Sequence, residues 1–332
     1  RPLFSTAVRR LMPSSRRTLL TGAGAALSGL AGCLDASNGE ATPTDSPTST
    51  AGTATAAPTT VPAEDAAALG DAIDLGDVTV TVADLVTAHS VRYLTAPDAM
   101  GVASTETDQF AFVDVSVRGE GRPPAPHRFA LVADGTGYGS GLEYVGPARV
   151  DAPVTGRRYG ESNREGYLGF RVPAPLDADS VAVTLGDRGP RETDMQPEAD
   201  GARARWSIPA AAADSLRSPP PVFETTLTVP DAVAVDEVIP VRLDVANVGD
   251  GLGTFHGAIN HQGPLYAADG FSFSLPPGES TTHEVTVGYY RGSDSPPGRV
   301  QFAVVGPGLS ESVSVRIDGG GTPDGTATGT SN

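Results

Sequence analysis

Short runs in which every second residue is apolar recur along this chain, and they restrict its fold more than any other feature. Such runs occupy residues 78–83, 111–118, 167–172 and 181–185. A period of two is typical of antiparallel strands that bury one face, whereas the 3.6-residue period of an amphipathic helix is almost absent beyond residue 66. The pattern therefore predicts an all-β fold built as a sandwich or a barrel.

A break in composition divides these runs into two sets. Residues 209–221 are rich in Ala and Pro, which predicts a linker. The strand pattern then restarts with seven runs in about 100 residues, the size of one immunoglobulin-like (Ig-like) sandwich. We predict two Ig-like antiparallel β-sandwich domains, residues 67–209 and 222–318, joined by a linker at residues 210–221. The seven C-terminal runs are residues 225–229, 238–246, 254–259, 271–275, 282–287, 300–305 and 312–317.

Three motifs mark the C-terminal set. They read Val-Arg-Leu-Asp-Val-Ala-Asn-Val-Gly at residues 241–249, Leu-Pro-Pro-Gly-Glu-Ser at residues 275–280 and Pro-Gly-Arg-Val at residues 297–300. With these motifs, residues 222–317 resemble the CARDB group of Ig-like adhesion modules, which are common on bacterial and archaeal surfaces. The resemblance implies an Ig-like fold and brings no catalytic residue with it.

The N-terminal set carries its own motifs at residues 110–117, 129–135 and 168–173. Through them, residues 77–186 resemble a second, uncharacterised Ig-like family that occurs in extracytoplasmic lipoproteins. This resemblance also implies only a fold.

The N-terminal segment predicts export and lipidation. Residues 15–20 read Ser-Arg-Arg-Thr-Leu-Leu, a short apolar run follows, and residues 30–33 read Leu-Ala-Gly-Cys. This order resembles a twin-arginine signal peptide that ends in a lipobox, and the apolar run is too short to span a bilayer. We predict that Arg16 and Arg17 direct export of residues 1–33 and that Cys33 is lipidated. Translation is expected to start at Met12.

Segments poor in apolar residues flank the predicted domains. Residues 34–66 consist mostly of Thr, Ala, Pro, Ser, Gly and acids, and residues 319–332 are similar. Such segments bury too little apolar surface to offset the entropy lost on ordering. We predict a disordered stalk before the domains and a disordered tail after them.

The charge of the chain restricts both habitat and partners. It has 40 acidic and 23 basic residues, and every basic residue is Arg. A net charge of -17 without Lys is typical of proteins from extreme halophiles, and we predict a haloarchaeal source. Because phosphate binding needs clustered cations, we predict no nucleic-acid partner.

Residues with catalytic potential are scattered. The single cysteine, Cys33, is assigned to lipidation, so thiol catalysis and thiolate metal sites are not expected. A turn at Asn260 could bring His256 and His261 together to bind a metal, but a third ligand is missing, which favours exposed loop histidines over a metal site. His283 is followed by Glu284 but lacks the second His of a zinc-protease motif. The sequence therefore predicts no catalytic site, no metal and no cofactor.

Two further segments carry weaker signals. Residues 135–141 are Gly-rich without a following helix, which favours a mobile hairpin loop over a dinucleotide site. Tyr138 with Tyr144, and Tyr289 with Tyr290, are candidates for an aromatic contact patch.

These observations predict a lipoprotein on the extracellular face of the cytoplasmic membrane. It would be held to the membrane by lipid on Cys33 and have a non-catalytic binding or scaffolding role toward a surface protein or glycan. The alternatives are a solute-binding receptor component of a transporter and an extracellular hydrolase that uses a carboxylate pair. A deep acidic cleft would favour the hydrolase, and a flat face exposing Tyr and Phe would favour the binding protein.

Overall fold

The structure is a computed structural model that describes most of the chain after residue 64. The predicted signal peptide with Arg16, Arg17 and Cys33, nearly all of the stalk, and the tail after residue 319 lie outside the described residues. The described ranges are residues 65–141, 149–186, 202–235, 237–262, 266–289 and 297–319.

Strands form most of the described chain. The N-terminal half, residues 65–217, contains β1 (Ala67–Ala68), β2 (Ala72–Asp74), β3 (Val78–Ala88), β4 (Ser90–Ala96), β5 (Ala99–Ser104), β6 (Asp108–Gly119), β7 (Phe129–Ala133), β8 (Thr136–Gly139), β9 (Val150–Ala152), β10 (Glu165–Pro173), β11 (Val181–Gly186) and β12 (Ala202–Ser207). The C-terminal half, residues 222–319, contains β13 (Phe223–Thr228), β14 (Ala232–Ala234), β15 (Ile239–Asn247), β16 (Gly253–Gln262), β17 (Ala267–Leu275), β18 (Ser280–Val287), β19 (Arg299–Gly306) and β20 (Leu309–Asp318).

Helical structure is sparse in the part of the chain that the structure describes. It consists of α1 (Ala210–Ala213), two 3-10 turns, Pro126–Arg128 and Asp214–Arg217, and a further 3-10 residue at Asp65. No helix within the described ranges has the length and apolar character needed to cross a membrane. The all-β prediction is confirmed, whereas the Ig-like character of the two regions stays a prediction.

Two sheets enclose the core of the N-terminal half. Their strand orders are β1-β12-β11-β7-β8 and β10-β6-β3-β2. In the second sheet Val80 pairs with Val117 and Val82 with Val115, and all four side chains face inward. The first sheet contributes Trp206, which is fully buried. The alternation seen in the sequence is therefore the inward and outward alternation of this sandwich.

A small third sheet, β5-β4-β9, covers one end of the outer surface of sheet β10-β6-β3-β2. Val91 and Val150 of the small sheet pack on Phe110, Phe112 and a tyrosine of β10. Strand β6 is therefore buried on both faces at one end and on a single face at the other. Sequence analysis did not predict this third layer.

The C-terminal half is a second sandwich with its own core. Sheets β13-β15-β18 and β14-β20-β19-β16-β17 enclose buried residues such as Leu243, Phe255 and Phe302. Each of the seven predicted C-terminal runs overlaps one of the strands β13 and β15–β20. The structure adds the short strand β14, which runs parallel to β20.

The predicted linker packs against the N-terminal core over part of its length. Leu216 is fully buried there. Its carbonyl oxygen accepts hydrogen bonds from the backbone N–H of Leu176 at 2.8 Å and from Nε2 of Gln109 at 2.6 Å. Ala213 is buried in the same core. Composition alone did not reveal this packing, because the segment contributes few apolar residues larger than Ala. The predicted domain limits remain predictions.

Arg92 of the small sheet bonds to both halves of the molecule. It is 8% exposed, and its guanidinium pairs with Asp151 at 2.7 Å. The same group donates to the carbonyl oxygens of Gly257 at 3.2 Å and Phe271 at 2.6 Å, and to Oγ of Ser272 at 3.0 Å. A buried guanidinium needs such a full set of acceptors to offset its loss of hydration.

Two further features hold the small sheet against the C-terminal half, and we call this contact region the junction. The side-chain amide of Asn260 accepts from the backbone N–H of Met100 and donates to its carbonyl oxygen, both at 2.8 Å. A Cβ on Gly270 would lie 2.5 Å from Nε of Arg92, so only Gly allows the approach of the guanidinium. The small sheet is therefore fixed to the C-terminal sandwich by buried polar contacts.

Candidate functional site

The candidate site is built on the open end of the outer surface of sheet β10-β6-β3-β2. Thr81 of β3 and Glu165 of β10 both lie opposite Ser116 of the central strand β6. In the next row Asp114 of β6 lies opposite Tyr167 of β10. Because side chains alternate along a strand, the valines between these residues face the core and the polar groups share the outer face.

These side chains form the floor of an open groove of about 570 Å³. Its wall is the segment that precedes β10, with Thr155, Arg157 and Asn163 facing the floor. The volume lies within the range of small-molecule sites, about 300–1,000 Å³. We call this feature the polar groove, defined by Thr81, Asp114, Ser116, Thr155, Arg157, Asn163 and Glu165.

The wall of the polar groove is held in place by backbone contacts. The N–H of Tyr159 donates to the carbonyl oxygen of Tyr167 at 2.9 Å, and the N–H of Tyr167 donates to that of Arg157 at 3.1 Å. A Cβ on Gly166 would collide with the backbone of Arg157 and lie 2.7 Å from the nitrogen of Tyr159. Glycine at position 166 thus lets the wall pack directly on β10.

Side chains also anchor the wall. The Tyr159 ring is buried, and its hydroxyl donates to the carbonyl oxygen of Pro124 at 2.7 Å. Desolvation by burial raises the pKa of that hydroxyl to about 12. Nδ2 of Asn163 donates to the carbonyl oxygen of Arg158 at 2.9 Å. These contacts fix the position of the wall relative to the sheet.

A β-bulge lies beside the floor of the polar groove. The pairing of β3 with β6 shifts between Ala83 and Leu85, and Asp84 between them has a φ of 47°. Asp tolerates this left-handed conformation better than most residues do. Burial and the nearby Asp84 charge together raise the pKa of Asp114. The bulge thus places two like charges at one edge of the groove.

The polar side chains of the floor are aligned, and no described residue is a partner to them. Within the described ranges, no group forms a hydrogen bond or an ion pair with the side chains of Thr81, Asp114, Ser116 or Glu165. Thr81 and Ser116 are half-buried and Asp114 and Glu165 are exposed, so these groups are available to a ligand.

The outer surface of sheet β13-β15-β18 has a similar composition and a different arrangement. Arg242 pairs with Asp244 at 2.9 Å and with Glu284 at 3.3 Å. Oγ1 of Thr282 donates to Asp244 at 2.5 Å and accepts from Arg242 at 3.1 Å. These four residues form the paired face. Its groups satisfy one another, so it offers few free hydrogen-bonding positions.

The chemistry available to the polar groove is hydrogen bonding. Hydroxyls both donate and accept, carboxylates accept, and the Arg157 guanidinium donates. No group of three or more His, Cys, Asp and Glu side chains in the described residues is arranged to hold a metal ion.

The structure places His256 and His261 apart from each other. His256 and His261 do not meet across a turn at Asn260, because all three residues lie within strand β16. Residues five positions apart in a strand point to opposite faces. Nδ1 of His256 is 2.8 Å from Oγ of Ser272, and Nε2 of His261 is 3.2 Å from Asp269.

The other described residues that the sequence analysis singled out pack against neighbouring side chains or belong to paired strands. The His283 ring stacks on Phe271 with centroids 4.3 Å apart. The Gly-rich segment forms a hairpin, but much of it is strand β8, which pairs with β7, and not a loop. Tyr138 packs against the N-terminal core and Tyr289 is buried, whereas Tyr144 and Tyr290 lie outside the described residues. No aromatic patch is visible at these described positions.

Sequence reasoning missed the polar groove, although part of the signal was present. Residues 110–113 are continuously apolar and residues 114–118 alternate, which indicates that β6 changes from two buried faces to one. The pairing that places Thr81 and Glu165 beside Ser116 has no local signal, and neither does the position of the wall.

Comparisons with known proteins leave the family open. No family model matches the chain, and no curated protein matches it. A β-glucosidase from Listeria innocua in complex with isofagomine shares 16% sequence identity over 29% of this chain and 16% of that chain, with a TM-score of 0.25. The complex with glucose gives 17% identity over 30% and 16%, with a TM-score of 0.26. The match thus spans about one sixth of the enzyme, and similarity this low carries no functional argument. The CARDB resemblance stays a prediction.

Proposed function

We propose that this protein is a membrane-anchored extracellular lipoprotein with a non-catalytic binding or scaffolding role at the cell surface. The observation that carries the binding role is the polar groove, in which aligned and unpartnered side chains face solvent beside a preformed wall. The twin-arginine and lipobox motifs at residues 15–33 support the location. The acidic, Lys-free composition supports a high-salt habitat.

The junction between the two sandwiches supports a rigid presenting unit. Arg92 and Asn260 connect residues about 160 positions apart in the chain through buried polar bonds. Breaking such bonds leaves uncompensated polar groups, so the two halves resist separation. In this proposal the stalk holds this unit away from the membrane and the polar groove faces the partner.

Expression in a haloarchaeal host, followed by fractionation and intact mass, tests the proposed location. We expect the wild type in the membrane fraction with the mass of a lipid added at Cys33. The variant Cys33→Ser should still be exported and should appear in the medium. Replacing Arg16 and Arg17 by Lys should retain the unprocessed chain inside the cell. A wild-type chain that stays soluble, unprocessed and cytoplasmic would contradict the proposal.

One observation favours a second candidate, the extracellular hydrolase. Asp114 and Glu165 are diagonal neighbours on adjacent strands, which places their Cβ atoms about 7 Å apart, and the pKa of Asp114 is raised. Glycoside hydrolases use two carboxylates at comparable separations. The groove is open, however, and leaves both carboxylates exposed to solvent, where electrostatic stabilisation of a transition state is weak. Release of reducing sugar by the wild type, lost in Asp114→Asn, would favour the enzyme over the binding protein.

A further inference from the structure

We infer that the polar groove binds a neutral, polyhydroxylated ligand, namely one or two sugar units of a surface glycan. This inference rests on the proposed binding function and adds the site and the class of ligand.

Charge selects against anionic ligands. The floor contains Asp114 and Glu165, and Asp84 lies close enough to raise the pKa of Asp114. Among the lining residues Arg157 is the cation. A phosphate, sulfate or carboxylate group would meet a net negative surface, so a neutral ligand is favoured over an anionic one.

The floor matches the hydrogen-bonding pattern of a sugar. A sugar presents a row of hydroxyls, each of which donates and accepts. Neighbouring strands of a sheet lie about 4.8 Å apart, so the cross-strand row of Thr81, Ser116 and Glu165 offers polar groups at regular intervals. Hydroxyl and carboxylate groups in this row accept from a sugar hydroxyl, and Thr81 and Ser116 also donate to it.

The paired face shows that outward polar side chains of this protein can satisfy one another, which those of the groove floor do not. On the paired face, Thr282 and Asp244 satisfy each other and Arg242. On the floor of the groove, Thr81 and Asp114 occupy similar outward strand positions without such bonds. A ligand that enters the groove need break no bond between these side chains.

Preorganisation supports binding at this position. The wall is fixed by the Tyr159 anchor and the backbone bonds to Tyr167, and the floor is a hydrogen-bonded sheet. A site that already has its bound shape loses little entropy when the ligand enters. Bulges such as the one at Asp84 are over-represented next to functional sites, where they redirect side chains.

Isothermal titration of the full chain carrying Cys33→Ser, in high salt, tests the inference. The probes are cellobiose, maltose and chitobiose, with a sulfated disaccharide and spermidine as charged comparisons. We expect at least one neutral disaccharide to bind with a dissociation constant in the millimolar range or below, and the sulfated one to bind at least tenfold more weakly.

Matched variants locate the site. Adding Thr81→Val and Asp114→Asn should weaken binding of that disaccharide at least tenfold. The first removes a hydroxyl and the second replaces a carboxylate acceptor with an amide donor, while both keep side-chain shape. Adding Thr282→Val, the same change on the paired face, should leave affinity within twofold. Circular dichroism and thermal unfolding establish that each variant is folded.

Three results would overturn the inference: binding of none of the neutral disaccharides, preferential binding of spermidine or the sulfated sugar, or binding that is unaffected by the groove variants. None of these depends on where the protein resides in the cell. The fractionation of the wild type and Cys33→Ser therefore tests the proposed location independently of the proposed ligand.

Discussion

The two ends of the outer surface of sheet β10-β6-β3-β2 differ in composition and in what covers them. At one end Phe110 and Phe112 project outward and are covered by the small sheet β5-β4-β9. At the other end Asp114 and Ser116 of the same strand project outward into the open polar groove. Apolar outward residues require a further layer, whereas polar ones can stay in contact with solvent or a ligand. One strand thus serves both as scaffold and as site.

The largest change in stability is expected from truncating an aromatic side chain at the covered end of this sheet. Phe112→Ala should lower the free energy of unfolding by about 3–5 kcal/mol, because it leaves a cavity beneath the small sheet. Urea unfolding monitored by tryptophan fluorescence measures the change. Ser116→Ala, in the same strand at the open end, serves as the control and should stay within about 0.5 kcal/mol of the wild type. Equal effects of the two variants would remove the distinction between the ends.

Arg92→Met tests whether the covering sheet is fixed by buried polar bonds. The variant keeps much of the side-chain volume but leaves Asp151 and two backbone carbonyls without their donor. We expect a loss of about 3 kcal/mol in the free energy of unfolding, as for the breaking of a buried ion pair. Arg242→Met, on the paired face, is the matched control and should cost less than about 1 kcal/mol. A loss below 1 kcal/mol for Arg92→Met would show that the junction is held by other contacts.

The junction should also make the protein sensitive to acid. Burial, and secondly the nearby Arg92 charge, lower the pKa of His256 from 6.5 to about 4. Between these two pH values the unfolded chain binds a proton at this position and the folded chain does not, so stability rises with pH. Acidification from pH 7 to pH 4 should therefore remove about 2–3 kcal/mol of unfolding free energy through this histidine.

Comparison with His256→Asn isolates this contribution. Burial also lowers the pKa of His89 and of His283, so both act in the same direction as His256. Lowered carboxyl pKa values, as for Asp244, weaken the protein mainly at more acidic pH. Urea unfolding at a series of pH values should give a shallower dependence for the variant between pH 6.5 and pH 4. Parallel curves for the two proteins would contradict the assignment.

The smallest expected changes in stability come from replacing one Asp by Asn, and they should have opposite signs in the polar groove and on the paired face. Burial and Asp84 raise the pKa of Asp114, so Asp114→Asn should raise stability, by no more than about 0.5 kcal/mol. Hydrogen bonds from Arg242 and Thr282 lower the pKa of Asp244, so Asp244→Asn should lower stability. Thermal unfolding at pH 7 compares the two variants. If Asp114→Asn lowered stability as Asp244→Asn is expected to do, the floor of the groove would be as well partnered as the paired face.

Sequence patterns predicted the strands better than the site. Periodicity two located β3, β6, β10 and the C-terminal strands because burial of one face is a local property of the sequence. It did not predict the small sheet, although the outward Phe110 and Phe112 carried the signal for a covering layer. The site requires the register of three strands and the packing of a wall, and both are set by tertiary contacts. Asn260 shows the same limit, because its role in binding Met100 depends on residues far away in sequence.

Amide chemical-shift mapping of the full chain carrying Cys33→Ser, titrated with the disaccharide that binds best, tests the central claim most directly. If the open end of sheet β10-β6-β3-β2 is the binding site, the largest shifts should fall in residues 81–84, 114–116 and 155–167. Shifts on the paired face, at residues 242–244 and 282–284, should stay near the noise. The largest shifts on the paired face, or shifts spread evenly over both sandwiches, would contradict the assignment of the polar groove as the binding site.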